Sequence, residues 1–120
     1  MKAHVRRAAA YVAQRLISDA SNSAIYDYAG ARFSKYGGTC SRDEVMVFDN
    51  DRSCYIAGKP AGRRFSLFDF GESSRWTLEI NGTSFQGFDY QSSRRFSGIV
   101  EGRLIRLFDH EDHAHHTFGF

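Results

Sequence analysis

Leu67-Phe-Asp-Phe-Gly-Glu-Ser-Ser-Arg-Trp-Thr-Leu-Glu-Ile-Asn-Gly82 is the stretch on which the fold turns. A short apolar run reaches Phe68-Asp69, the polar tetrad Gly71-Glu-Ser-Ser74 reverses the chain, and Trp76, Leu78 and Ile80 then alternate with Arg75, Thr77 and Glu79 up to Asn81-Gly82. Alternation with period two marks a strand that buries one face, and Asn-Gly supplies the positive φ that a two-residue hairpin turn requires. The segment reads as one β-hairpin and the turn into the next.

The same pattern returns on either side. Phe48-Asp49, Phe68-Asp69, Phe88-Asp89 and Phe108-Asp109 stand 20 residues apart. A looser first copy, Tyr26-Asp27 followed by Arg32-Phe-Ser34, lies 22 residues before Phe48-Asp49 and so carries a different linker. A fixed period of this length is the signature of a repeat architecture. The copies join through Ala61-Gly62, Asn81-Gly82 and Glu101-Gly102, and strands that follow one another through short turns are antiparallel neighbours. Residues 24–120 are therefore expected to form five hairpins of about 20 residues each, an up-and-down antiparallel meander of about ten strands.

Pairing Ile80 with Thr83 across the turn sets Leu78 opposite Phe85 and Trp76 opposite Gly87, because antiparallel partners keep a constant index sum. The period carries this to Gly98 with Ile105 and Ile56 with Leu67. One face then collects the core: Val45, Val47, Ile56, Phe65, Leu67, Trp76, Leu78, Ile80, Phe85, Phe96, Val100, Ile105, Leu107, Phe118 and Phe120. The other face carries Ser, Thr, Arg and Glu, together with the column Phe48, Phe68, Phe88, Phe108. An apolar stripe of that size calls for a cover.

Ahead of the repeats, Val5, Ala9, Val12 and Leu16 recur at helical spacing and Ser21-Asn-Ser23 follows, which predicts an amphipathic helix over residues 3–19. The fold expected is mainly β with one N-terminal helix, either a closed barrel with the helix lying outside across the Phe stripe or a strongly curled sheet packed on the helix.

The 120 residues suffice for one domain, 1–120, and 42% apolar with 25% charged residues is a globular composition. No apolar run nears the ~18 residues of a membrane span. Gln14 and Arg15 interrupt Ala8–Ala13 too early for a secretory signal, so a cytoplasmic location is expected. Cys40 and Cys54 do not make a disulfide framework.

Candidate chemistry follows from the same frame. Asp27, Asp49, Asp69, Asp89 and Asp109 could line up carboxylates for a cation, but each opens a turn, where Asp commonly caps the backbone. His110, His113, His115 and His116, with Glu111 and Asp112, form a weak metal-ligand set, since His115 and His116 as neighbours on a strand point to opposite faces. Arg75, Arg95 and Arg106 interleave with the rings as single-strand nucleic-acid platforms do. A net charge of only +2 argues against nucleic acid as the main partner. No cofactor motif and no Cys-His or Ser-His-Asp arrangement can be placed on the repeat. The sequence thus leads to a small non-enzymatic binding or assembly module, its partner surface formed by Phe48, Phe68, Phe88, Phe108, Phe70 and Tyr90 and open to a protein or a second copy. A carrier of a small hydrophobic ligand in a barrel cavity is the first alternative, with space at Gly58, Gly87 and Gly98, and a single-stranded nucleic-acid binder is the second.

Overall fold

A computed structural model describes residues 1–120. Helix α1 (Ala3–Ile17) precedes strands β1 (Ala24–Asp27), β2 (Arg32–Cys40), β3 (Val45–Asp49), β4 (Cys54–Gly58), β5 (Pro60–Ala61), β6 (Arg64–Asp69), β7 (Ser74–Asn81), β8 (Ser84–Asp89), β9 (Arg94–Glu101), β10 (Leu104–Asp109) and β11 (Ala114–Gly119). Each strand except β4 pairs antiparallel with the next, β4 pairs with β6, and β1 pairs with β11. The meander thus closes into a ten-stranded barrel, and the two-residue β5 lies outside the ring against the start of β6. All five hairpins form as the period implies.

The register differs from the expected one by two residues. Ile80 pairs with Phe85 and Asn81 with Ser84, so the turn is Gly82-Thr83. Gly82 has φ +64 and Thr83 is not positive, the arrangement of a type II′ turn with glycine first. A slip of two leaves every side chain on its predicted face, and the core residues from Val45 to Phe118 are indeed buried, with Phe120 packed at their margin. The reversing tetrads likewise sit one residue earlier, at Phe70–Ser73 and Tyr90–Ser93, and close with Ser73 and Ser93 in the left-handed region. The linker after the first copy is the longer turn Ser41–Glu44, in which Ser41 Oγ accepts the Asp43 and Glu44 N–H groups.

The helix lies within the barrel and does not cover the Phe stripe. Every residue from Ala8 to Gln14 is at most 2% exposed, and α1 touches β1, β2, β7, β9, β10 and β11, strands on both sides of the ring. A helix buried all round needs a jacket on all sides, and an alanine-rich helix is slim enough for a lumen of this size. Its side chains and the inward-facing barrel residues form a single cluster of 25. Its observed end at Ile17 comes two residues before the expected one, where Ser18 turns extended.

The glycines expected to leave room in the interior do not. Gly87 pairs with Phe96 and Gly98 with Phe85. A Cβ on Gly87 would stand 2.4 Å from the Phe96 ring, and one on Gly98 2.3 Å from the Phe85 ring. Each phenyl lies across the neighbouring strand's glycine, and Leu67 does the same at Gly58. The lumen that a ligand carrier would need holds α1.

One rim is made by the repeated aspartates, which bear out the turn reading and add to it. Asp27 Oδ1 accepts N–H from Ala29 and Gly30, Asp49 Oδ1 from Asp51 and Arg52, Asp69 Oδ1 from Gly71 and Glu72, Asp89 Oδ1 from Gln91, and Asp109 Oδ1 from Glu111. All five are at most 7% exposed, because they share the inward parity of Val47 and Leu67. The helix enters here: Arg7 pairs with Asp27 at 3.5 Å, and Arg6 and the Met1 ammonium pair with Asp109 at 3.4 and 3.2 Å. Glu72 draws Lys2 and His4 to the same rim, and hydrogen bonds from Gln91, Lys2 and His4 hold its carboxyl down to about 2. At the other rim Gln14 and Asn22 exchange side-chain amide hydrogen bonds of 2.7 and 2.9 Å, which fixes the return from α1 into β1.

Three outcomes follow from this packing. Trp76→Ala, at a site 1% exposed, should cost ~3–5 kcal/mol in urea unfolding. Deletion of residues 1–20 should abolish the β-sheet circular dichroism, since it empties the lumen; a folded truncated barrel would refute the enclosed helix. Asp69 is pushed up by burial, but the Arg52 guanidinium, bonded at 2.8 and 2.9 Å, and two backbone N–H groups outweigh this and hold it below the usual carboxylate range. A carboxyl depressed in the folded state contributes stability above its unfolded pKa of ~3.9, lost as pH falls through the folded value. Asp69→Asn should therefore cost ~3 kcal/mol at neutral pH, and the difference from wild type should vanish in acid.

Candidate binding surface

With the helix inside, the rings of the outer wall are left to cover one another. Phe48, Phe68, Phe88 and Phe108 point outward and are half-buried. Each is met edge-on by a neighbour: Phe48 by Tyr55, Phe68 by Phe70, Phe88 by Tyr90, and Phe108 by His110, with centroids 4.8–4.9 Å apart. Tyr26 repeats the motif with Tyr28 and Phe33. Such edge-to-face contacts hold the inner ring of each pair and turn the outer ring to solvent. Phe70 is 60% exposed and Tyr90 56%.

The basic residues enter this band at two points. Arg75 pairs across β6 and β7 with Phe68, and Arg95 across β8 and β9 with Phe88; the cross-strand partner of Phe88 on its other side is Thr77. Arg106 lies two residues along β10 from Phe108, with Glu101 3.6 Å away. The three guanidiniums therefore do not form one basic track.

Over β7, β8 and β9 the wall is dented. A Cβ on Gly87 would stand 2.0 Å from the Thr77 carbonyl, and the Phe88 N–H donates to Thr77 Oγ1 at 3.1 Å. That bond spans the Thr77–Phe88 pair of the β7–β8 ladder. A concavity of about 580 Å³ opens on the outside there, lined by Arg64, Thr77, Glu79, Gln86, Phe88, Tyr90, Arg95, Ser97 and His110. Glu79 accepts a hydrogen bond from Gln86 at 2.8 Å and keeps its charge opposite Arg64 on the neighbouring strand, so the groove carries two guanidiniums against one carboxylate and Arg95 is the cation farther from it.

The four histidines are not brought together. His110 and His115 flank the Phe108 ring on the outside, His113 occupies the left-handed turn position, and His116 faces the rim interior. The group that does converge is Asp109, Asp112 and His116, whose ligating atoms all lie within 4.8 Å of one another. His116 and Asp112 belong to the set the sequence offers and Asp109 is the addition; the inward parity that His116 shares with Trp76 and Phe96 was the available signal. The thiols are muted nucleophiles, since burial pushes Cys40 up to about 11 and also raises Cys54.

Comparison with protein-family models, with curated proteins and with solved structures returns no match. No helix is long and apolar enough to cross a membrane.

Proposed function

We propose that this protein is a non-enzymatic binding module that docks an acidic polypeptide segment in the groove over β7–β9. The observation that carries this reading is the dent at Gly87, which sets the Phe88 and Tyr90 rings beside Arg64 and Arg95. Two other modes of recognition lack a place on the molecule. Strand addition needs a long free sheet edge, and here the ring is closed. A lumenal ligand needs space that α1 fills. What remains is side-chain recognition on the outer wall, where the rings seat apolar or aromatic groups and the guanidiniums pair with carboxylates.

The test is a titration of the ¹⁵N-labelled protein with a ten-residue peptide of alternating Glu, Tyr and Leu. Shift changes should cluster at Phe88, Tyr90 and Arg95, and Arg95→Glu should weaken binding about tenfold or more, the cost of reversing one close charge, with little change in melting temperature. Scattered or absent changes overturn the proposal. Tighter binding of a single-stranded oligonucleotide, with an Arg95-dependent salt slope, would put nucleic acid in the groove instead. Concentration-dependent sedimentation abolished by Tyr90→Ser would make the occupant a second copy.

A further inference from the structure

The last hairpin departs from the repeat at one inward position. Seven residues after the repeated aspartate, the second to fourth copies place Ile56, Trp76 and Phe96, all at most 1% exposed. The fifth copy places His116 there. An imidazole in a slot built for a core side chain sits beside the fully buried Asp109 and needs polar company. Asp112 supplies it, with Oδ2 2.8 Å from His116 Nε2.

We propose that Asp109, Asp112 and His116 bind a first-row divalent transition cation, with Zn²⁺ as its natural probe. The ligating atoms of the three residues already lie within 4.8 Å of one another. A tetrahedral ion about 2.0–2.2 Å from each ligand needs its oxygen and nitrogen about 3.4 Å apart, so Asp112 Oδ2 and His116 Nε2, now 2.8 Å apart in their hydrogen bond, need only open by well under ~1 Å to admit it. One imidazole and two carboxylates form a ligand set typical of such ions and soft enough to prefer them to Ca²⁺. The backbone holds two of the ligands in place: Asp112 Oδ1 accepts the Ala114 N–H at 3.0 Å, and Asp109 Oδ1 accepts the Glu111 N–H at 2.9 Å. Each thereby keeps its second oxygen for the ion. That of Asp109 now faces the Met1 ammonium and Arg6, two cations whose place a divalent ion takes in part. The Asp112 side chain is 42% exposed and that of His116 14%, so the site opens to solvent on one side. Three protein ligands with an open fourth position make a centre that can receive a further ligand.

The experiment is calorimetric titration of the metal-free protein with Zn²⁺, together with the visible spectrum of the Co²⁺ form. Wild type should bind one equivalent, and Co²⁺ should give the intense absorption of a four-coordinate site. His116→Phe restores the residue that β9 carries at this position, and it should fold at least as well as wild type while losing the Co²⁺ band and weakening Zn²⁺ more than about a hundredfold, beyond the effect of most outer partners. Should that variant not fold, Asp112→Asn, on the exposed turn, carries the same expectation. Combined replacement of His110, His113 and His115 by Ala should leave binding in place. Binding that survives His116→Phe or Asp112→Asn, or that disappears with the three outer histidines, overturns the proposal, as does the absence of one-equivalent binding by wild type.

Discussion

A ten-stranded barrel encloses a lumen wider than its own wall side chains can fill, and every other feature of this molecule depends on α1 filling it. Eight strands leave an interior just wide enough for side chains to close. Ten leave a channel, and here the channel has the width of a helix stripped to small side chains. Ala8, Ala9, Ala10 and Ala13 are at most 1% exposed, so methyl groups of the helix meet Leu67, Leu78, Ile105 and Leu107 of the wall in one core. A helix with larger residues along that stretch would spread the wall, and a missing helix would leave a cavity no rearrangement of ten strands could close.

The aspartate rim is the second half of that arrangement. Inward-facing carboxylates are costly unless paired. Each of these spends one oxygen on the turn that reverses its own hairpin, and most have the other available for a cation. Arg6 and Arg7 arrive on the helix, Arg52 on a turn, and the positive end of the helix dipole points at the same rim. The same residues thus end the strands and set which way the helix threads the barrel.

The strand period, the five hairpins and the assignment of faces could all be read from Phe-Asp spacing and alternation, because a sheet with one buried face repeats its constraint at every second residue. Register could not be read, since Asn81-Gly82 and Gly82-Thr83 are both acceptable turns and differ by a slip that preserves every face. The place of the helix was written more faintly. Val5, Val12 and Leu16 suggest one apolar stripe, whereas the uncharged run Ala8–Ala13 covers the whole circumference and marks a helix buried all round. The groove was illegible for a different reason: it lies over Gly87, and a glycine on the core face reads as a void until the Phe96 ring is seen lying over it.

Near-identical copies constrain where recognition can arise. Five similar hairpins give the wall five similar faces, and whatever one face offers a partner the others offer almost as well. Discrimination therefore has to come from positions at which one copy breaks the pattern. Two residues before the repeated aspartate stand Ile25, Val47, Leu67 and Leu107, but Gly87 in the fourth copy; the concavity that gathers Phe88, Tyr90 and Arg95 lies over that position. Seven residues after it, where the second to fourth copies place Ile56, Trp76 and Phe96 and the first places the small Ser34, His116 stands in the fifth copy and meets Asp109 and Asp112. Both breaks fall on inward positions, where the repeat is held most tightly by packing and a departure costs most. They lie in consecutive copies, with His110 lining the groove from the turn that carries Asp112, so a ligand in the groove and an ion at the rim would share one hairpin end as their common support.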